Sequence, residues 1–495
     1  MKLFFALTLL LQLCFSRIGR AQDDHHFRVG GKEVRIDSFN MAISGMIDTL
    51  GVPAASIAII DDDKLVFSGN YGFKRWNKKD PVNDNTVFEA CSLSKMFLLF
   101  VVEQLADSGR IDLEKPLYQY VPNPRLEHDP RYKKITARMV LSHSSGIENW
   151  QEDNNKDTLE ILSDPGTKFV YSGEGYQYLA KVVESILHEP YETYITRRVL
   201  GPFQLENTYL KFNEDSVVAS WTETPGNYTL GHRAFGNEIP KWKNTIPVPA
   251  SGINTTASDY ARLLMAFFDT TRLSAARMKD RIKPVIRMDE GNANFYMGSG
   301  FMMIDLPKDT LICFSGIDDG FRSEIFFSVI HRRGFVYFTN SSNGDLMIGQ
   351  MNRLTAGFDM DSLLAMPVNR QYPSVAIDIL RVYREKGAAE MFAAVERSRQ
   401  QRTLDEGTLP DVAMTFLGFD NTIAQKCLDE NKAWYPQSAL TWCLLGQVYT
   451  QEKNYKMALS SFSKAKELKF DRWDIDESIK ECQQQMSRAD LSKKQ

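Results

Sequence analysis

The stretch FEACSLSKMF, residues 88–97, sets Ser92 and Lys95 three positions apart where a loop runs into an apolar segment. A serine hydroxyl is a poor nucleophile until a neighbouring base takes its proton. A lysine can be that base only if burial or cationic neighbours depress its pKa. On a helix, residues three apart share a face, so Lys95 would stand beside the Ser92 hydroxyl, and the helix N-terminus favours negative charge developing there. The spacing alone is a weak signal, because polar residues often open helices. The chain holds two more such pairs, Ser461 with Lys464 and Ser463 with Lys466, in a C-terminal helix where they should face solvent. Context separates Ser92 from these. TVFEAC precedes it and MFLLFVVEQLADSG follows, an apolar run that predicts a central buried helix ending at Gly109.

Several elements must position such a pair. AASIAIIDDDKLVFSGNYGF (54–73) reads as two β-branched runs joined by an acidic turn, the pattern of a hairpin. Strand-like runs return at TLICFSG (310–316), SEIFFSVIHR (323–332) and GFVYFTN (334–340), with helix-like segments and Gly, Pro and Asn-rich loops between. Strands at both ends with helices between predict an α/β (α+β) domain. Its sheet is completed by distant segments and flanked by helices, with a helical subdomain inserted. From about residue 373 strand signals fade, and an all-α region over 373–490 is expected.

The bulk properties narrow the function. With 495 residues, 43% hydrophobic and 25% charged, the chain can bury a sizeable core and is long enough for more than one domain. A formal net charge of -4 gives no basic stripe for nucleic acid and no cationic arm for a membrane surface. Residues 1–21 combine Lys2, an apolar run from Leu3 to Phe15 and small residues ending at Ala21, the layout of a cleaved signal peptide. That run is too short to span a membrane comfortably, so the mature chain is expected to be exported, periplasmic or extracellular, with no membrane span. Cys91, Cys313, Cys427, Cys443 and Cys482 remain, too irregularly spaced for a zinc ladder or a dense disulfide framework. Cys91 beside Ser92 reads as a small buried residue rather than a thiol nucleophile. DDHH at 23–26 has metal-ligand residue types but lies just after the cleavage point, and GSG at 298–300 lacks the lysine of a phosphate loop, so no cofactor and no metal are expected.

Further segments place Ser92 in a recognisable set: MVLSHSSGI (139–147), DPGTKFVYSGEGYQYLAKVVE (164–184), SGINTTASDYARLL (251–264) and ICFSGIDDGFRS (312–323). In order and spacing they resemble the serine β-lactamase and penicillin-binding-protein superfamily, in particular its class C β-lactamase-like branch, over residues 36–358. The resemblance implies a β-lactamase/transpeptidase-like mixed sheet of mainly antiparallel strands. It also implies an acyl-enzyme mechanism in which Ser92 is the nucleophile, with Lys95 and Tyr171 of YSG shuttling protons. The oxyanion hole would come from the backbone N–H groups of Ser92 and Ile317. Gly173, Phe314, Ser315 and Gly316 would border the substrate. Two positions depart from the family pattern: Gly173 stands where Asn is common, and Phe314 where Lys or His precedes Ser-Gly. Losing an amide and a cation disfavours β-lactam antibiotics and carboxylate-ended peptides, and favours an ester or an amide without a free carboxylate. Arg322 could replace the cation but reads better as an ion-pair residue. His143 reads as a structural histidine rather than a general base.

In the C-terminal region, WCLLGQVYTQEKNYKMALSSFSKAKEL places Trp442, Leu445, Gly446, Tyr449, Ala458, Phe462 and Ala465 at the offsets of a tetratricopeptide helix pair, over about 437–470. That similarity implies a protein partner there, beside a small-molecule or peptide substrate at Ser92. The alternative to an exported serine hydrolase is a catalytically quiet penicillin-binding-like module with a protein-binding repeat. The altered motifs motivate it, and the intact Ser92, Lys95 and Tyr171 oppose it.

Overall fold

A computed structural model describes residues 25–492 apart from 77–79, 152–156, 213–226, 235–237, 289–293, 307–308, 359–373 and 471–474. The expected signal segment lies outside the described residues. An eight-stranded sheet forms the spine of the N-terminal domain: β1 (Ala54–Asp61), β2 (Lys64–Gly72), β3 (Ile286–Arg287), β4 (Phe295–Met297), β5 (Met302–Leu306), β6 (Asp309–Asp318), β7 (Phe321–Ser328) and β8 (Arg333–Thr339). Its order is β2-β1-β8-β7-β6-β5-β4-β3, and each pairing is antiparallel. The N-terminal hairpin thus joins strands from the far end of the domain. Met-rich β5 and the short β3 and β4 carried no sequence signal, since Met is not β-branched and Gly298 and Gly300 interrupt the run.

Strand β1 shows why the sheet is central. Its residues 54–60 are all buried, and alternate side chains enter different cores. Ala54, Ala58 and Ile60 join one layer, and Ala55, Ile57 and Ile59 join the other. Behind the sheet lie α1 (Ile36–Leu50) and the C-terminal end of the domain. In front lie α2 (Lys95–Asp107), α3 (Gly173–Leu187) and α4 (Ala257–Ala266). Every residue of α2 from Lys95 to Glu103 is buried, as expected of a helix that is apolar all round. Arg281 is wholly buried nearby, its guanidinium over the rings of Phe267 and Phe268 and bonded to the Phe267 carbonyl at 2.7 Å.

The C-terminal region is helical: α5 (Ser374–Gln400), kinked at Gly387, α6 (Thr408–Phe416), α7 (Asn421–Trp434), α8 (Ala439–Gln451), α9 (Tyr455–Glu467) and α10 (Ile475–Ser492). The helices share their own apolar core. Helices α8 and α9 pack closely because Gly446 meets the Phe462 ring; a Cβ at Gly446 would come within 2.6 Å of it. Ala458 and Ala465 are fully buried beside it. Ser461, expected in solvent, is buried on this helix contact, whereas Ser463 is exposed. Gly446→Val should overpack this contact by about 1–3 kcal/mol. The expected readout is an earlier melt and faster amide exchange confined to the C-terminal helices, with the sheet domain unchanged.

Candidate active site

Ser92 lies on a single 3-10 turn, Cys91–Ser94, that feeds directly into α2 at Lys95. Cys91 takes a left-handed backbone, φ 49°, a conformation a non-glycine residue holds only when its surroundings enforce it. They do so here. Ala90 N–H donates to the Ile253 carbonyl, Ile253 N–H donates to Ser94 Oγ, and Tyr260 Oη donates to the Leu93 carbonyl. The Cys91 thiol is buried, its pKa pushed well up by burial, and it faces the Glu89 carbonyl at 3.6 Å, which leaves it no thiolate character. Among the described residues, Cys91, Cys313, Cys427, Cys443 and Cys482 are buried and free.

Three side chains converge. Tyr171 Oη lies 2.7 Å from Ser92 Oγ, and Lys95 Nζ lies 3.3 Å from the same oxygen. Lys95 also donates to the Ala250 carbonyl at 2.8 Å and sits over the rings of Tyr171 and Tyr176, 4.8 and 5.5 Å from their centroids. Burial lowers the Lys95 ammonium to a pKa of about 7. Burial also raises the Tyr171 phenol, partly offset by its hydrogen bond with Ser92. Near neutrality the accessible base is therefore the lysine, and Tyr171 holds its proton.

Tyr171 is placed by a histidine. His143 stacks on it at 4.1 Å, accepts the Ser172 N–H on Nδ1 at 3.1 Å, and accepts the Val170 N–H on its backbone carbonyl at 2.7 Å. An acceptor Nδ1 puts the proton on Nε2. Burial and the nearby Lys95 depress the imidazole well below its ordinary pKa, so it stays neutral, a support for Tyr171. Ser172 caps α3 by accepting from Gly175 N–H and donating to the Glu148 carbonyl. Ala250, Tyr176 and the stacking role of His143 had no sequence signal, because each acts through contacts with residues remote in the chain.

Strand β6 supplies the other wall. The Asp319-Gly320 turn makes Asp318 and Phe321 the closing hydrogen-bonded pair, so alternation leaves Ile317 and Arg322 non-hydrogen-bonded. The Ile317 N–H therefore points away from β7, toward the edge that β5 vacates beyond Met302 and Cys313. Gly316 lies against the Cys91–Ser94 turn; a Cβ there would stand 2.5 Å from the Ala90 carbonyl. Ser92 N–H belongs to the first turn of its helix, where N–H groups lack intrahelical acceptors.

Other expected substrate contacts fall differently. The Ser315 hydroxyl turns to the layer behind the sheet and donates to buried Glu324 at 2.7 Å, so it is not a side-chain contact for substrate. Phe314 is fully buried in the core in front of the sheet and presents no face to solvent. Arg322 is folded back onto the Asp318 and Phe321 carbonyls and near Asp345, which takes it away as a replacement cation. At Gly173 the space an asparagine side chain would need is taken by Trp150, whose ring would lie 2.5 Å from a Cβ there. Trp150 is 40% exposed, and Asn149 Oδ1 accepts the Gly173 N–H at 2.9 Å. A separate open cleft of about 430 Å³, near Phe203, Arg262 and Arg332, contains none of these groups.

Known proteins share this architecture. Residues 39–356 match the beta-lactamase family, and the chain belongs to that family. It is 26% identical over 313 residues to Protein flp of Staphylococcus aureus strain MW2, a match covering 58% of this chain and 60% of that protein. The chain thus spans less than two thirds of the length of the curated relatives it matches. A shorter stretch of 122 residues is 30% identical to the serine beta-lactamase-like protein LACTB, mitochondrial, of Bos taurus, covering 24% of this chain and 22% of that one. Among solved structures, the octameric penicillin-binding protein homologue from Pyrococcus abyssi matches with a TM-score of 0.55 at 20% identity, covering 70% of this chain and 82% of that one. A class C beta-lactamase matches with a TM-score of 0.52 at 21% identity, covering 62% and 90%. These likenesses establish the fold.

If Lys95 is the base, modification of Ser92 should follow its free amine. The fluorophosphonate labelling rate is expected to rise with pH through about 7 and level off above it, because only the deprotonated lysine can accept the serine proton. Lys95→Arg, which cannot lose its proton near neutrality, should slow labelling by about 10²-fold or more. A rate flat across pH 5–9 would exclude Lys95 as the titrating group.

Proposed function

We propose that the protein is an exported serine hydrolase that cleaves an ester, or an amide without a free carboxylate, through an acyl-enzyme on Ser92. The observation that carries this reading is the convergence of Tyr171 Oη and Lys95 Nζ on one serine oxygen, at 2.7 and 3.3 Å, around a lysine wholly removed from water. Ser92 Oγ attacks the carbonyl carbon, and its proton passes to Lys95 Nζ. The oxyanion receives hydrogen bonds from the N–H groups of Ser92 and Ile317. As the tetrahedral intermediate collapses, Tyr171 hands a proton to the departing alcohol or amine and is reprotonated from Lys95. Water then attacks the acyl-enzyme by the reverse sequence. The chain's own side chains supply each proton transfer.

The choice of substrate class rests on the walls. Phe314 and Gly173 provide neither the cation nor the amide that would hold a substrate carboxylate and side-chain amide, and Trp150 offers an exposed aromatic surface instead. An apolar acyl or leaving group fits such a surface. Protein flp and the class C beta-lactamase are similar in sequence or fold, and that similarity assigns no substrate to this chain. We also propose that α8 and α9 form a tetratricopeptide-like pair that takes a protein partner, the close Gly446–Phe462 contact being its support.

Short-chain p-nitrophenyl esters, nitrocefin and D-amino-acid amides assayed side by side test the reading. Measurable ester turnover with little nitrocefin cleavage is expected, and Ser92→Ala should abolish both turnover and fluorophosphonate labelling. Trp150→Ala should lower kcat/KM for longer acyl chains while leaving acetyl esters nearly unchanged. Labelling of Ser92→Ala as strong as that of the parent would remove the hydrolase reading in favour of a quiet binding module. Edman sequencing of the mature chain beginning after Ala21 would support export.

A further inference from the structure

The Asp319-Gly320 turn is held by Arg233, whose guanidinium is covered in turn by the C-terminal helical region. Arg233 forms a fork onto Asp319, with Nε at 3.3 and 3.1 Å from the two carboxylate oxygens and Nη2 at 2.6 Å from Oδ2. The same guanidinium lies over the ring of Phe419, 4.6 Å from its centroid, in the loop between α6 and α7. Its neighbour His232 donates its backbone N–H to the Gly320 carbonyl at 3.3 Å, and Gly320 is so closely covered that a Cβ there would stand 2.6 Å from Ile239 and 2.7 Å from His232 N. Ala234, one residue further on, is buried in the apolar core of the helical region. A second link runs in parallel. Arg384 of α5 stacks over Trp76 at 4.0 Å, and Trp76 N–H donates to His232 Nε2 at 3.1 Å.

We propose that Arg233 is a positioning residue through which the helical region holds the Asp319-Gly320 turn and sets the Ile317 N–H toward the oxyanion. This rests on the reading of Ile317 as an oxyanion donor. Strand β6 loses its β5 neighbour beyond Cys313, so among the described residues the segment from Phe314 to Asp318 has β7 as its sheet partner, with the Cys91–Ser94 turn packed against Gly316. A two-stranded ribbon ending in a glycine turn is free to twist, and an oxyanion donor displaced by a fraction of an ångström loses much of its effect. An exposed ion pair contributes little to global stability, and Asp319 is about half exposed. The contact therefore acts on the direction of one strand end more than on the stability of the fold. Arginine suits the position because its planar fork can meet a carboxylate edge-on while its face meets a ring.

The test uses the full chain with four variants, Arg233→Ala, Asp319→Asn, Phe419→Ala and the Arg233→Ala/Phe419→Ala double. Thermal melts of Arg233→Ala and Asp319→Asn should match the parent, since neither removes core packing, whereas the two variants that lose Phe419, which packs on the helical core, should melt earlier. Ester kcat is expected to fall about tenfold in Arg233→Ala and Asp319→Asn with KM within about twofold. The double variant should be no worse than Arg233→Ala alone, the sign that both act through one link. Hydrogen exchange of the peptide carrying Ile317–Phe321 provides a readout independent of turnover, and it should quicken in all four. Unchanged exchange in Arg233→Ala and Asp319→Asn overturns the link, as does an unchanged kcat in an active parent. A parent without ester turnover whose variants still exchange faster would sink the hydrolase reading and leave the mechanical link standing.

Discussion

An amine held out of water, with no carboxylate paired to it among the described residues, is the constraint on which the site depends. Lys95 is 1% exposed, and among the described residues it meets a serine oxygen, one backbone carbonyl and the faces of two tyrosines. A full ammonium in that setting is costly, so the group yields its proton near neutrality. Each neighbouring element serves that enclosure. The loop carrying Ala250 is tied to the Cys91–Ser94 turn through Ile253 and Ser94, and the loop carrying Tyr171 is tied to the domain through His143 and Ser172.

Enclosure also explains the cost visible in the backbone. Cys91 sits at a positive φ because Ala90 must reach the Ile253 carbonyl while Ser92 turns its hydroxyl toward Tyr171. Strain of this kind, of the order of 1–3 kcal/mol, persists only where surrounding packing over-determines it. Here an all-buried helix, a strand passing with only a glycine against Ala90, and the hydroxyl of Tyr260 surround the turn.

The open side of the site is built from different material. Phe314 has withdrawn into the core, Ser315 is committed to Glu324, and Trp150 fills the space beside Gly173. A pocket with fewer charges selects by shape and apolar area, which discriminates weakly between ligands of similar size. The helical region, meanwhile, touches the beta-lactamase-family domain near the end of β6 rather than at a remote surface. Its position makes it part of the site's surroundings.

Much of the layout was legible in the residues. The β-branched runs of β1, β2, β6, β7 and β8, the apolar helix after Lys95 and the C-terminal helices all follow from local periodicity, which depends on neighbours within a turn or two. Strands β3 to β5 were not legible, since Met and Gly carry little strand preference and their place is fixed by the neighbour they pair with. The buried face of Ser461 was misjudged for a related reason: helical period gives relative faces, and the packing partner decides which face is inside. Residue types and order thus determined the elements and nominated Ser92, Lys95 and Tyr171. Tertiary structure alone decided that Tyr171 reaches Ser92 across 79 positions, that the Ala250 carbonyl reaches Lys95 across 155, and that Ser315 faces away. Distance, burial and the pKa that burial sets are properties of chain segments brought together, and no local pattern encodes them.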